Sequence, residues 1–210
     1  MTWISKIAFN QNIRNEVPNK ELAKELADGN HAEGIKEISS YLFDNNKSVA
    51  SDCLAVLYTI GYEKPALIQG YTDVFLSLLE SKNNRMVWGS MIALSTIAPL
   101  KADILFKKVD LILQTMREGT LITEVWGLKT LVNLSLAKST YKDKLLPVLF
   151  DYLEKCRPID FATRVETIMP VIKSPAEQEV FDRIIEVKSK ELSDSQLKKL
   201  RLIVKKTRKV

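Results

Sequence analysis

Apolar residues recur along this chain at helical spacing. In the stretch that opens NNRMVWGSMIALS (83–95), Val87, Met91, Leu94 and Ala98 fall on one face of a helix. In QLKKLRLIVKKTRKV (196–210), Leu197, Leu200 and Val204 do the same. A period near 3.6 residues marks an amphipathic helix. No segment alternates apolar and polar residues for long, and none carries an Asn-Gly hairpin signal, so strands are not expected. The start signals agree. Asn46 and Asn84 stand where N-caps belong, and Thr120 does so after Gly119. Pro65 and Pro158 suit first-turn positions, where a missing N–H costs nothing. Ser174 with Glu177, and Ser193 with Gln196, have capping-box spacing.

The pattern repeats. NNKSVASDCLAVL (45–57) aligns with NNRMVWGSMIALS at an offset of 38 residues. A second step of 38 sets Val87-Trp88-Gly89 on Val125-Trp126-Gly127, and Ala93 on Leu131. A third step lands in FATRVETIM and places Arg164 where the tryptophans stood. Each copy is followed by a further helical pattern: PALIQGYTDVFLSLLES, KADILFKKVDLILQTMRE and YKDKLLPVLFDYLEKC. A unit of two helices in about 38 residues lies within the range of helical-repeat architectures.

On these residues the chain resembles the HEAT/armadillo-type repeat family. The resemblance is carried by Leu146-Pro147-Val148-Leu149, and by Val49, Val87 and Val125 with Ala55, Ala93 and Leu131, and it spans roughly residues 30–190. It implies an all-α, right-handed α-α superhelix of about five helical hairpins, with the second helix of each hairpin lining a concave face. The expected organisation is one solenoid domain: N-terminal cap helices over 1–29, a repeat body over 30–191, and a basic C-terminal capping helix over 192–210. One departure stands out. Family members usually carry a basic residue directly after the repeated Val; here that place holds Ala50, Trp88, Trp126 and, in the fourth copy, Arg164.

That departure nominates the binding residues. Trp88 has Asn84, Arg85, Met91, Ile92 and Ser95 as helical neighbours, and Trp126 has Ile122, Thr123, Lys129, Thr130 and Asn133. Both indoles therefore lie to the polar side of the core stripe, each with a cation within one turn. Trp88, Trp126, Arg85, Lys129 and Arg164 make a candidate aromatic-basic strip. The alternative is that the indoles pack between repeats, as large aromatic side chains mostly do. Gly89 and Gly127 carry a cost of about 0.5–1 kcal/mol each relative to Ala in a helix. Either a close helix crossing or a notch for a ligand would account for them.

Charge narrows the choice of partner. The net charge is +5, but residues 192–210 alone carry +6, so the rest of the chain is nearly neutral. Lys198, Arg201, Lys205 and Arg208 form a stripe along that terminal helix, readable as a solubilising cap or as an anion-binding face. The chain has one histidine, His31, and lacks GxGxxG, Walker-type and GxSxG motifs. No metal, cofactor or catalytic constellation is expected. Cys53 and Cys156 are isolated, which fits reduced thiols in the cytoplasm. The longest uncharged run, residues 86–100, is too short for a transmembrane span, and the N-terminus lacks signal-peptide features. The reading that follows is a non-enzymatic scaffold or adaptor that binds a protein or peptide on its concave face. The alternative is nucleic-acid binding, resembling the HEAT-like DNA alkylation repair glycosylases. Those use concave tryptophans, basic residues and an acid; here only Asp160, in the fourth copy, is placed to supply the acid.

Overall fold

The computed structural model describes residues 2–207, with the side chains of residues 206 and 207 left aside. Arg208, the last member of the basic stripe, and Lys209 lie outside the described residues. Among the described residues there are twelve α-helices, a few short 3-10 turns and no strand. The helices are α1 (Val17–Asp28), α2 (Ala32–Ser40), α3 (Lys47–Glu63), α4 (Thr72–Leu78), α5 (Asn84–Ile97), α6 (Ala102–Phe106), α7 (Val109–Glu118), α8 (Leu121–Ala137), α9 (Ser139–Lys155), α10 (Pro158–Ile168), α11 (Pro175–Ser189) and α12 (Asp194–Thr207). The repeated Val helices are α3, α5 and α8, and the fourth copy falls on α10, where Thr163 takes the place of the Val. By packing, the chain forms two compact units, residues 1–130 and 131–210, and the division falls within α8.

In the first unit α3 lies between α1 and α5, while α2 packs on α3 and α4 on α5. One layer of long helices thus carries a second layer of shorter ones. The core between them is apolar and tight: Leu22 and Leu26 from α1, Ile35 and Ile38 from α2, Leu54 and Leu57 from α3, Phe75 from α4, and Met91 and Leu94 from α5. No single hairpin covers its own apolar face, so each depends on its neighbour for burial.

Two local findings refine the sequence pattern. The segment leading into each Val helix is broken in the first two complete copies. Residues 65–81 form two 3-10 turns and then α4, with Gly70 in the second turn. Residues 101–118 form α6 and α7, separated at Lys107-Lys108. In the third copy α9 runs unbroken through Pro147, whose position within the helix removes one backbone donor without ending it. Asn46 caps α3 by accepting the Ser48 N–H at 3.0 Å, as its position suggests. On α5 the cap is Asn83, which accepts the Arg85 N–H at 3.1 Å, and Asn84 is the first helical residue. The Asn-Asn pair offers two equivalent oxygens, and the helix takes the earlier one.

In the second unit α10 packs against α9 and α12, and α11 packs on α9. Leu145, Leu149 and Leu153 recur at i, i+4, i+8 along α9 and are all buried. Phe161, Val165 and Ile168 of α10, Phe181 of α11 and Leu200 of α12 join them in this core. Ser174 and Glu177 form a complete capping box at the start of α11. At α12 half of the expected box is present: Gln196 accepts the Ser193 N–H at 2.8 Å, while the Ser193 hydroxyl sits 3.1 Å from that of Ser195.

Candidate binding surface

Tyr58 and Tyr62 are one helical turn apart on α3 and so share a face. Around them the two tryptophans are organised. The Trp88 ring lies 6.1 Å from the Tyr58 ring, the Tyr58 ring 6.1 Å from Tyr62, and the Tyr62 ring 5.6 Å from Trp126. Interplanar angles of 42–67° make these tilted or edge contacts, the arrangement that aromatic quadrupoles favour. Lys129 completes the series, its Nζ 3.7 Å from the centre of the Trp126 ring. The result is a ladder of four rings and a cation that draws on α3, α5 and α8.

Both tryptophans are half-buried, Trp88 packed on Tyr58 and Trp126 on Tyr62. Tyr58 is 8 % exposed and Tyr62 49 %. Burial, reinforced by the carboxylate of Glu16, pushes the hydroxyl pKa of both tyrosines up, so both remain protonated donors at neutral pH. Desolvation pulls the Lys129 pKa down from its ordinary value.

The two glycines answer the question that Val-Trp-Gly poses. A Cβ on Gly89 would come within 2.7 Å of Leu54 Cδ2 on α3. One on Gly127 would run into the side chain of Met116 on α7. Both positions are close crossings, and neither glycine opens a notch. The motif repeats, but its partner does not: one glycine meets the preceding Val helix, the other the short helix before its own.

Beside Trp88 the first unit has a cleft of about 420 Å³ between the N-terminal segment and α1, α3 and α5. Its apolar wall is formed by Phe9, Ile13, Leu54, Tyr58 and Trp88. Its charged groups are mixed: Arg14 and Arg85 face the same space as Glu16 and Asp52. The N-terminal segment is held there by two side chains. Asp52 Oδ2 accepts the Phe9 N–H at 2.8 Å, and Asn19 Oδ1 accepts the Ala8 N–H at 2.9 Å. Asn19 also lines the cleft, is 1 % exposed, and its Nδ2 has no hydrogen-bond partner among the described residues. Leaving a buried donor unsatisfied costs about 1–3 kcal/mol.

Four of the five strip residues nominated from the sequence therefore lie in the first unit: Trp88 and Arg85 at the cleft, Trp126 and Lys129 at the far end of the ladder. Arg164 does not join a displayed strip. It belongs to the second unit and is 2 % exposed, with its guanidinium carbon 6.0 Å from the centre of the Tyr152 ring. Asp160 is engaged by Arg157 at 2.7 Å. Along α12, Lys198, Arg201 and Lys205 are exposed, while Lys199 donates to the Thr163 hydroxyl at 2.9 Å. Tyr58, Tyr62, Glu16, Asp52 and Asn19 are site residues that sequence reasoning passes over. The tyrosines carry a legible signal, i,i+4 spacing on a Val helix; the others do not.

No protein-family model matches the sequence, and no curated protein matches it. Solved structures do. A designed armadillo repeat protein in complex with the peptide (KR)4 superimposes with a TM-score of 0.64 at 12 % identity, covering 89 % of this chain and 85 % of that one. The fold is that of an armadillo-type helical repeat. An engineered protein matches with a TM-score of 0.59 at 15 % identity over 98 % of both chains. None of its helices, among the described residues, is long and apolar enough to cross a membrane.

Proposed function

We propose that this armadillo-type protein is a non-enzymatic scaffold or adaptor. It binds a peptide or an extended segment of a protein along the Val-helix layer of its first unit, with Trp88, Trp126, Lys129 and Arg85 as contact residues. The observation that carries this reading is the ladder itself. Rigid aromatic rings that are held by one another and still half-open to solvent present large contact area at little entropic cost, as binding hot spots do. The fold likeness to a repeat protein that holds a peptide supports the same reading. Neither cysteine forms a disulfide, which supports placement in the reducing cytoplasm.

The charge distribution favours a peptide over a nucleic acid. A phosphate backbone entering beside Trp88 would meet Glu16 and Asp52 as well as Arg14 and Arg85. The experiment is a solid-phase array of capped peptides probed with wild-type protein and with the Trp88→Ala/Trp126→Ala double variant. Retained peptides are expected to bind the double variant at least about ten-fold more weakly, a loss of two aromatic anchors. Equal binding by a folded double variant, or retention of a short DNA duplex at low salt with no peptide retained, overturns the proposal.

A further inference from the structure

Resting on the peptide-binding reading above, we infer that the cleft beside Trp88 is an anchor pocket. It takes one large apolar side chain of the partner peptide, between the N-terminal segment that Asn19 holds in place and the face of Trp88.

Shape comes first. A volume of about 420 Å³ exceeds any single side chain and leaves room for one side chain with part of its backbone. It falls within the ~300–1,000 Å³ of sites that bury small ligands. Two of the cleft's apolar residues, Phe9 and Ile13, are exposed, although both are large hydrophobics. They line the same cleft as the half-buried Trp88, so an apolar group entering there covers exposed apolar surface on each of them.

Hydrogen bonding comes next. The orientation of the Asn19 amide is fixed by the Ala8 N–H, which requires the oxygen on that side and leaves Nδ2 on the other. Nδ2 is itself fully covered, so this amide serves the cleft by holding its N-terminal wall in place. A carboxylate would meet Arg14 and Arg85 but also Glu16 and Asp52, and a cation would meet the reverse. Balanced charge selects against either sign at the anchor and suits a backbone that carries donors and acceptors together.

The test uses the full chain, isotopically labelled, titrated with acetylated and amidated Ala-Phe-Ala, Ala-Lys-Ala and Ala-Glu-Ala, and with AMP. Ala-Phe-Ala is expected to saturate with a Kd in the millimolar range, about ten-fold tighter than the others, while shifting the Asn19 side-chain amide and the Trp88 indole resonances. Ser51→Trp, which fills the cleft from the half-buried Ser51 on its wall, is expected to abolish saturation. Phe9→Ala, at an exposed residue outside the helices, is expected to weaken it about three-fold or more, the loss of one apolar wall. No shift at about 20 mM, equal binding by both variants, or preference for the lysine peptide, the glutamate peptide or AMP overturns the pocket. The two proposals fail separately. An array that retains nothing removes the peptide-binding reading, whereas array peptides that bind wild type and Ser51→Trp alike remove the anchor pocket only.

Discussion

Lys129 Nζ sits 3.7 Å above the centre of the Trp126 ring. The two residues are neighbours on one helical face, so the contact is set by local geometry and ties the cation to the aromatic ladder. Lys129→Met keeps the stem and removes the charge. Peptides retained by the wild type are expected to bind this variant about two- to five-fold more weakly, in line with a cation–ring term of ~0.5–1 kcal/mol. Titration by fluorescence anisotropy reads the change, and the helical circular dichroism is expected to stay the same.

Gly89→Ala reverses the usual rule for helices. Alanine normally stabilises a helix relative to glycine by ~0.5–1 kcal/mol. Here the new methyl meets the buried Leu54 Cδ2 at 2.7 Å, and overpacking of that kind costs about 1–3 kcal/mol. Gly127→Ala brings its methyl still closer to a side chain, against the Cγ and Sδ of Met116 and not its free end, so a loss at least as large is expected. Urea midpoints of the two variants rank the crossings.

The Lys142–Glu177 pair gives the second unit an acid-sensitive clamp. Burial alone would raise the Glu177 pKa. Lys142 at 2.6 Å and the N–H groups of Lys173 and Ser174 at 2.7 and 3.0 Å outweigh that, and hold it at about 2 against an ordinary 4.5. A depressed carboxyl pKa means that the unfolded chain binds the proton more readily. The contribution is therefore complete above the ordinary value and is lost as pH falls from 4.5 toward 2. Glu177→Gln is expected to cost about 1 kcal/mol at neutral pH, with the cap weakened and the pair removed. It is also expected to flatten the acid limb of a denaturation series between those two pH values. An unchanged acid limb would contradict the clamp.

Arg164 provides the contrast with the displayed residues. At 2 % exposure its long side chain contributes packing within its own unit. Arg164→Ala is expected to lower stability by roughly 2–4 kcal/mol and leave peptide affinity unchanged. Paired thermal melts and binding titrations separate the two effects. A variant that loses binding at unchanged stability would restore Arg164 to the contact surface.

Much of the fold is legible because helices and their caps are local. Val49, Val87 and Val125 mark α3, α5 and α8, and Ser174 with Glu177 closes the box that its spacing announces. The site is less legible, because it is made across helices. Counting neighbours along α5 finds Arg85 and Ile92 around Trp88 but not Tyr58, which arrives from α3. The cleft is harder still: Phe9, Arg14 and Glu16 lie in a segment with no repeat register. Asn19 reads as an ordinary polar helix position until its oxygen is seen to hold the backbone of Ala8. Arg164 misleads for the opposite reason. An extrapolated register of 38 residues assigns it the place of a tryptophan, and tertiary packing turns it inward.

Because Trp88, Tyr58, Tyr62 and Trp126 touch in sequence, a molecule settling against the first indole disturbs the optical surroundings of the last. The intrinsic ultraviolet emission of this chain should then announce occupancy without any attached dye, and the spectral response of Trp126 to events at Arg85 would measure how stiffly the rings transmit it.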